Sequence, residues 1–363
     1  MTKTQHLAAI DLFCGVGGLT CGLRQAGVEV VAGIDVDPQC KFPYEFNNGS
    51  RFILKDVADI TGEELKALYP KNALKVLAGC APCQPFSTLA TKNRKFQAES
   101  DGQSVEPNDK WGLLEQFARL VEEVDPELVT MENVPRVSNH APYKHFIATL
   151  TRLGYSVDAR RIKCADYGLP QIRRRFVLVA SKFGQIRLPP PLDRSLHRSV
   201  HDAIGHLPTL SAGQTDPQDA MHKARSMTEV NLRRIQASRA GGTWEDWPVE
   251  LRSACHQRDT GKSFRSVYAR MEWAAPAPTI TTQCFNFGTG RFGHPTQDRA
   301  ITLREAALLQ SFPIDYKFVE PEKTVHFTSV GRMIGNAVPP LLGKLVGTTL
   351  QNHLRERINC DVT

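Results

Sequence analysis

Cys83 sits a few residues past the short apolar run Val76-Leu77-Ala78, inside Gly79-Cys80-Ala81-Pro82-Cys83-Gln84-Pro85-Phe86-Ser87. A strand that ends this way in an α/β fold offers its next side chains to a cleft, where a thiolate can act as a nucleophile. The pair Cys80 and Cys83 also reads as C-x-x-C, a redox couple or half of a zinc site. Zinc would need a second close pair, and cysteines 14, 21, 40, 164, 255, 284 and 360 supply none. A redox motif of the thioredoxin kind would open a helix rather than run into Gln-Pro-Phe-Ser. The spacing therefore favours a nucleophilic Cys83, with Cys80 as packing and no metal.

A nucleophile names no reaction without a cofactor site, an acid or base, and a substrate surface. The apolar run Ala8-Ala9-Ile10-Asp11-Leu12-Phe13 enters a turn, Cys14-Gly15-Val16-Gly17-Gly18, and then a helix-like segment from Leu19 to Ala26. Gly15, Gly17 and Gly18 would let backbone approach a ligand, although alone they also fit a plain tight turn. A second run, Val28 to Ile34, ends in Asp35, placed to accept hydrogen bonds from a ribose diol. A third, Phe52 to Lys55, ends in Asp56, suited to an adenine amino group. Three strand ends aiming polar groups at one crevice describe a nucleoside-containing cofactor.

With these residues assembled, the chain resembles the cytosine-C5 DNA methyltransferases. Asp11 to Gly18 is similar to the family's S-adenosylmethionine loop, and Pro82-Cys83-Gln84 to its catalytic motif. Glu132-Asn133-Val134, after the apolar run Leu128 to Met131, is similar to its catalytic glutamate motif. Gln171-Ile172-Arg173-Arg174-Arg175, Arg304-Glu305-Ala306 and Gly335-Asn336-Ala337-Val338-Pro339 come next, in family order. The resemblance covers residues 7 to about 180 and about 300 to 350. It implies S-adenosylmethionine as cofactor, with S-adenosylhomocysteine as product. Its binding residues would be Phe13, Gly15, Gly17, Gly18, Asp35, Val36, Asp56, Val57, Pro82 and Asn336. The family often carries an aromatic after the ribose-binding acid; Val36 stands there, and Phe13, Val36 and Val57 are expected to supply apolar contact.

The chemistry explains the grouping. Carbon 5 of cytosine is too weak a nucleophile to attack a methyl sulfonium unaided. Addition of the Cys83 thiolate to carbon 6, with Glu132 holding or protonating ring nitrogen 3, makes carbon 5 nucleophilic. By resemblance Arg175 contacts the cytosine oxygen and orients Glu132, and Arg173 supports the same site. A glutamate at a strand end is otherwise an ordinary capping or surface group, and an arginine run an ordinary solvated face. The apolar run Phe176 to Ala180 continues the arginines as a strand, so Arg173 and Arg175 are expected on one face with Arg174 opposite.

Composition agrees. The chain has 363 residues, 41% of them hydrophobic, enough for one large and one smaller domain. A formal charge of +7 suits a polyanionic partner without establishing one. Nine cysteines without paired spacing fit a reducing compartment. The first six residues run straight into the first strand, and no apolar run approaches the roughly 20 residues that span a bilayer. A soluble enzyme of the bacterial cytoplasm or nucleoid is expected, with no membrane partner and acting as a monomer.

Strand and helix patterns alternate from residue 7 to about 153, the signature of a doubly wound, mostly parallel α/β sheet of the S-adenosylmethionine-dependent methyltransferase type. Tyr155 to Ile162 and Arg175 to Lys182 read as neighbouring strands near the sheet edge. The rhythm breaks at Leu188-Pro189-Pro190-Pro191. Residues 1–184 are expected to form the catalytic and cofactor domain, 185–300 a smaller irregular DNA-recognition domain, and 301–363 a return segment. Residues 185–300 interleave Arg233, Arg234, Arg239, Arg252, Arg258, Lys262, Arg265 and Arg270 with Trp244, Trp247, His256, Tyr268 and Trp273. Such a mixture suits phosphate contacts and base-edge readers, though solvated arginines of a loop-rich domain would look the same. Arg291, between Gly290 and Phe292, is the expected reader in a recognition loop. The polar stretch 88–110 reads as a lid closing over a base rotated out of the duplex, with Ser87, Lys92 and Arg94 on DNA.

Three other functions compete. Methylation of an exocyclic amino group would need an Asp/Asn/Ser-Pro-Pro-Tyr/Phe motif where Pro82-Cys83-Gln84 stands. RNA-directed relatives share the same blocks but have a shorter variable domain, and a non-catalytic DNA-binding member would lack Cys83, Glu132 or Arg175. The expectation is site-specific methylation of cytosine carbon 5 in double-stranded DNA, with a cognate restriction endonuclease acting on the same site as a candidate partner.

Overall fold

The structure is a computed structural model describing residues 6–82, 112–258 and 265–360. Cys83, Ser87, Lys92, Arg94, Lys262 and the polar stretch 88–110 lie outside the described residues. The chain divides into two compact units: Met1–Lys163, Arg174–Pro191 and Val338–Thr363 form one, and Cys164–Arg173 with Leu192–Ala337 the other.

The first unit is built on a seven-stranded sheet. Its strands are β1 (Leu7–Leu12), β2 (Glu29–Asp35), β3 (Arg51–Leu54), β4 (Leu74–Gly79), β5 (Leu128–Asn133), β6 (Ser156–Lys163) and β7 (Arg174–Ser181). They lie in the order β3-β2-β1-β4-β5-β7-β6. Neighbours are parallel except β7, which runs antiparallel to both β5 and β6. β1 and β5 are buried along their whole length, as interior strands of a sheet covered on both faces are. Helices α1 (Gly18–Gln25), α2 (Lys41–Asn48), α3 (Gly62–Lys66), α4 (Gly112–Val124) and α5 (Ala141–Arg152) connect the strands. Leu114, Phe117, Leu120, Val121 and Val124 on α4 pack with Ile10, Leu12, Leu77 and Val129 in the core.

Successive strands proceed from β1 towards β3 on one side and from β4 towards β5 on the other. The switch point therefore lies between the carboxyl ends of β1 and β4, where open α/β sheets place their ligands. The Cys80 backbone N–H donates to Leu12 O at 3.3 Å and holds those two ends side by side.

In the second unit, α6 (Val200–Ile204), strands β8 (Thr215–Asp216) and β9 (Asp219–Lys223), α7 (Glu229–Gln236), α8 (Leu303–Leu309) and α9 (Phe327–Asn336) sit among irregular segments. The expected boundaries need three corrections, the first that residues 185–191 belong to the first unit. Residues 301–337 belong to this second unit, so the return segment begins at Val338 and not at 301. The cause is visible around α8: Glu305 pairs with Arg299 at 2.7 Å, and Arg304 bonds Asp219 on β9. The link between β6 and β7, residues 164–173, also belongs here.

The last helix, α10 (Pro340–Cys360), belongs to the first unit and packs on α1 through glycines. A Cβ on Gly22 would fall 2.0 Å from Pro340 O and 2.4 Å from Lys344 N, both backbone atoms that cannot swing aside. Among the described residues no helix is long and apolar enough to cross a membrane. Gly22→Ala is expected to lower the urea midpoint of the first unit, because overpacking of about 1–3 kcal/mol or more outweighs a helix-propensity gain of about 1 kcal/mol. A variant as stable as the parent would contradict this packing.

Candidate active site

The approach to Cys83 is anchored even though Cys83 lies outside the described residues. β4 is an interior strand, and past its end Ala81 is buried and its carbonyl accepts from Asn133 Nδ2 at 3.1 Å. Pro82, half-buried, is the last residue described before the gap.

Glu132 stands on β5 with 6% of its surface exposed. In the antiparallel pairing of β5 with β7, Glu132 faces Val177, so Arg175, two residues along, lies on the same sheet face as a diagonal neighbour. Arg175 Nε is 2.6 Å from Glu132 Oε1. The contact is an ion pair without a well-aligned N–H, for among the described residues Oε1 has no hydrogen-bond donor. On the other side, Gly79 of β4 pairs with Met131 of β5 in parallel register, so the next residues, Cys80 and Glu132, are lateral neighbours. The Cys80 thiol donates to Glu132 Oε2 at 2.8 Å. Sequence spacing leaves Cys80 and Asn133 without a task; the register of β4 against β5 supplies one for each.

Arg173 requires a correction. β7 begins at Arg174, so Arg173 precedes the strand and shares no strand face with Arg175. Its guanidinium donates to Ile280 O at 3.0 Å and Gly335 O at 3.2 Å, both in the second unit. Gln171 is likewise buried, bonding Leu309 O, Gln310 Oε1 and the Ile280 N–H. The first three residues of the Gln171–Arg175 element thus belong to the second unit, where Gln171 and Arg173 tie backbone together, and Arg175 reaches the carboxylate.

The glycine turn comes directly after β1. Phe13 takes a left-handed φ of 58°, unusual for a residue with a Cβ, and Gly15 and Gly17 have φ of 51° and 86°. Gly18 opens α1, buried. The Gly15 N–H donates to Asp35 Oδ2 at 2.8 Å and the Asp37 N–H to Asp35 Oδ1 at 2.9 Å. Asp35 therefore clamps the turn to the end of β2, and its two backbone donors leave lone pairs on both oxygens. Burial raises its pKa, against the lowering effect of those N–H bonds. The short helix after Pro38 is capped by Asp37, whose carboxylate accepts from the Gln39 N–H at 3.0 Å. A Cβ on Gly15 would meet nothing within 4 Å, so the turn borders open space.

Val36 is 60% exposed beside Asp35. Val57 is not: its side chain is buried in the core, which corrects the expectation that it offers apolar surface. Asp56 accepts from the Ala58 N–H at 2.9 Å. Asn336, the exposed last residue of α9, belongs to the second unit.

Asp11, next to last in β1, is a residue whose chemistry the pattern of apolar neighbours concealed. It is 1% exposed; Thr20 Oγ1 donates to Oδ2 at 2.7 Å, while Oδ1 has no partner. Burial, opposed by the Thr20 hydrogen bond and helped by the charge of Asp35, raises its pKa to about 7.

Several of the second unit's arginines and aromatics build its interior. Trp244, Trp247, Phe287 and Ile235 form a core with Tyr268 packed against it. Arg270, 5% exposed, bonds the carbonyls of Ile235, Ser238, His294 and Gln297 and pairs with Asp298. Arg234 bonds Leu251 O, and Arg252 bonds Trp247 O. Arg291 donates to Gly242 O at 2.8 Å and Arg270 O at 3.1 Å, so the structure gives this expected base reader a loop-bracing task. Arg233, Arg239, Arg258 and Arg265 are exposed.

The family model for C-5 cytosine-specific DNA methylases matches residues 7–352. A Type II methylase of Herpetosiphon aurantiacus, M.HgiDII, is 49% identical over 360 residues, covering 97% of this chain and 98% of the relative. The Type II methyltransferase M1.HphI of Haemophilus parahaemolyticus is 30% identical, over 94% and 85%. Among solved structures, a prophage-encoded DNA modification methyltransferase of E. coli aligns at a TM-score of 0.69 with 23% identity, covering 96% of this chain and 99% of the other. The S. pombe Dnmt2 methyltransferase aligns at 0.63 with 17% identity, over 98% and 100%, a likeness of fold.

The buried Asp11 makes a pH prediction. In the fold it holds its proton up to about pH 7, whereas the unfolded chain releases it near pH 3.9. Between those values the native state binds more protons than the unfolded state, so stability falls as pH rises, by up to about 4 kcal/mol. Asp11→Asn keeps the acceptor for Thr20 and removes the titration. Urea unfolding of both proteins from pH 5 to 7.5 should show parent stability declining relative to the variant. A difference independent of pH would contradict the buried acid.

Proposed function

The chain belongs to the C-5 cytosine-specific DNA methylase family, and on that premise we propose that Cys83, Glu132 and Arg175 form its reaction centre. The enzyme is a DNA (cytosine-5-)-methyltransferase: it transfers a methyl group to carbon 5 of cytosine in DNA, and the RNA-directed alternative is set aside. The observation that carries the site assignment is the Glu132 carboxylate, buried at the strand end beside Cys80, paired with Arg175, and keeping one oxygen without a hydrogen-bond donor among the described residues.

Use of S-adenosylmethionine is implied by the family and fold. The residues present fit it: an open space borders Gly15, Asp35 retains lone pairs for a ribose diol, and Val36 offers an exposed apolar surface beside it. In this reading Phe13, Gly15, Gly17 and Gly18 shape the turn, Asp35 and Asp56 accept hydrogen bonds, and Pro82, Asn336 and the Val57 backbone complete the set. When bound, S-adenosylmethionine supplies the electrophilic methyl group.

The protein's own groups do the rest. The Cys83 thiolate adds to cytosine carbon 6, forming a carbon–sulfur bond, and the displaced electron pair moves towards nitrogen 3. Glu132 enters this step as the protonated acid and gives its proton through Oε1 to that nitrogen, and Arg175 steadies the carbonyl oxygen on carbon 2, where negative charge develops. Carbon 5 then accepts the methyl group. A solvent base takes the carbon 5 proton, its electron pair forms the carbon 5–carbon 6 double bond as the carbon–sulfur bond breaks to regenerate the thiolate, and nitrogen 3 returns its proton to Glu132. Ser87, Lys92 and Arg94 are proposed to contact the DNA from which the base is rotated, and the exposed arginines 233, 239, 258 and 265 become readers in place of Arg291. The Type II relatives support a cognate restriction endonuclease and a bacterial cytoplasmic setting.

Incubation with labelled S-adenosylmethionine should label duplex DNA containing the target site and leave transfer RNA unlabelled. Cys83→Ser, whose hydroxyl is far less ionised than a thiol near neutral pH, should abolish labelling while sequence-selective DNA binding persists. Retention of most activity would remove the adduct mechanism.

A further inference from the structure

We infer that Cys80 is a positioning residue for the Glu132 carboxylate. The inference rests on Glu132 being the carboxylate that meets the cytosine ring. A glutamate's terminal torsion is broad, so a single contact at one oxygen leaves the other free to rotate. Arg175 Nε meets Oε1 at 2.6 Å, and the Cys80 thiol supplies a second point by donating to Oε2 at 2.8 Å. The two contacts approach from opposite sides, one from β7 and one from the end of β4, and both partners are carried on strands of the same sheet. With Oε2 occupied, the carboxyl plane is set and Oε1, which has no hydrogen-bond donor, remains for nitrogen 3 of the ring.

The alternative arrangement shows why the thiol matters. A guanidinium facing a carboxylate prefers a bidentate fork. Without a donor at Oε2, the carboxylate can turn so that aligned N–H groups of Arg175 take both oxygens, and Oε1, now in contact with Arg175 but without an aligned N–H, is no longer open to the ring. Cys80 blocks that turn, so orientation is set before substrate arrives and need not be acquired during reaction. A serine at the same position would carry an equivalent donor; an alanine would not.

The test measures Cys80→Ala and Cys80→Ser beside Glu132→Gln, as full chains with duplex DNA and S-adenosylmethionine. Readouts are kcat, both KM values, and tritium release from carbon 5 of labelled cytosine. Cys80→Ala should lower kcat and tritium release roughly 10- to 100-fold, the range of one hydrogen bond to a charged group, with KM for both substrates nearly unchanged. Cys80→Ser should restore most of the rate. A Cys80→Ala change placed in the Glu132→Gln background should have little further effect, because a residue acting through Glu132 is non-additive with it. A merely structural role would lower both backgrounds alike.

Full rate in Cys80→Ala, equal losses in Cys80→Ala and Cys80→Ser, or additivity in the double variant would each overturn the inference while leaving the Glu132 assignment intact. Full activity in Glu132→Gln would remove that assignment and the inference with it.

Discussion

A carboxylate at the end of a strand buried on both faces must be met by donors, because an unpaired buried charge costs several kcal/mol. Glu132 is in that position, and much of the first unit can be understood as what meets it. The antiparallel insertion of β7 beside β5 brings Arg175 to one oxygen. The parallel register of β4 with β5 brings Cys80 to the other. Asn133, the next residue, turns the opposite way and fastens the β4 extension by its bond to Ala81 O. One pair of strand ends thus holds both Glu132 and the approach to the proposed nucleophile.

The cofactor side obeys a related constraint. A turn with left-handed residues at Phe13, Gly15 and Gly17 has little intrinsic stability and must be tied from outside. Asp35 ties it through the Gly15 N–H, and Asn48 and Tyr44 press so closely on Gly17 that a Cβ there would fall 2.4 Å from the Asn48 amide. The same carboxylate proposed to hold ribose therefore also shapes the turn. Binding and architecture are not separable at Asp35.

The sheet was legible because its strands are short apolar runs with polar ends: β1, β2, β4 and β5 appear at the expected places, and β6 and β7 pair at the edge-side end of the sheet. The meeting of Glu132 with Arg175 was legible only through the family resemblance, which assigned both to one site, and the register of β5 against β7 supplies its physical basis. Arg173 was not, since the strand starts one residue later and its parity argument has no strand to act on. Cys80 could not be seen either, for its partner is 52 residues away and only strand register joins them. In the second unit, arginines among aromatics look alike whether they read bases or clamp carbonyls. Burial decides: Trp247 is 1% exposed and Arg270 is 5%. Residues 301–337 were misplaced because a buried pair such as Arg299–Glu305 leaves no periodic trace.

The central claim is that Cys83 attacks the cytosine that Glu132 and Arg175 hold. Duplex DNA carrying 5-fluorocytosine at the target position tests it directly, because fluorine at carbon 5 cannot leave as a proton and the adduct cannot resolve. With S-adenosylmethionine present, the enzyme should form a denaturation-resistant complex, and peptide mass spectrometry should locate the DNA on Cys83. No covalent complex with a substrate that is otherwise methylated, or a complex located on Cys80, would contradict the account.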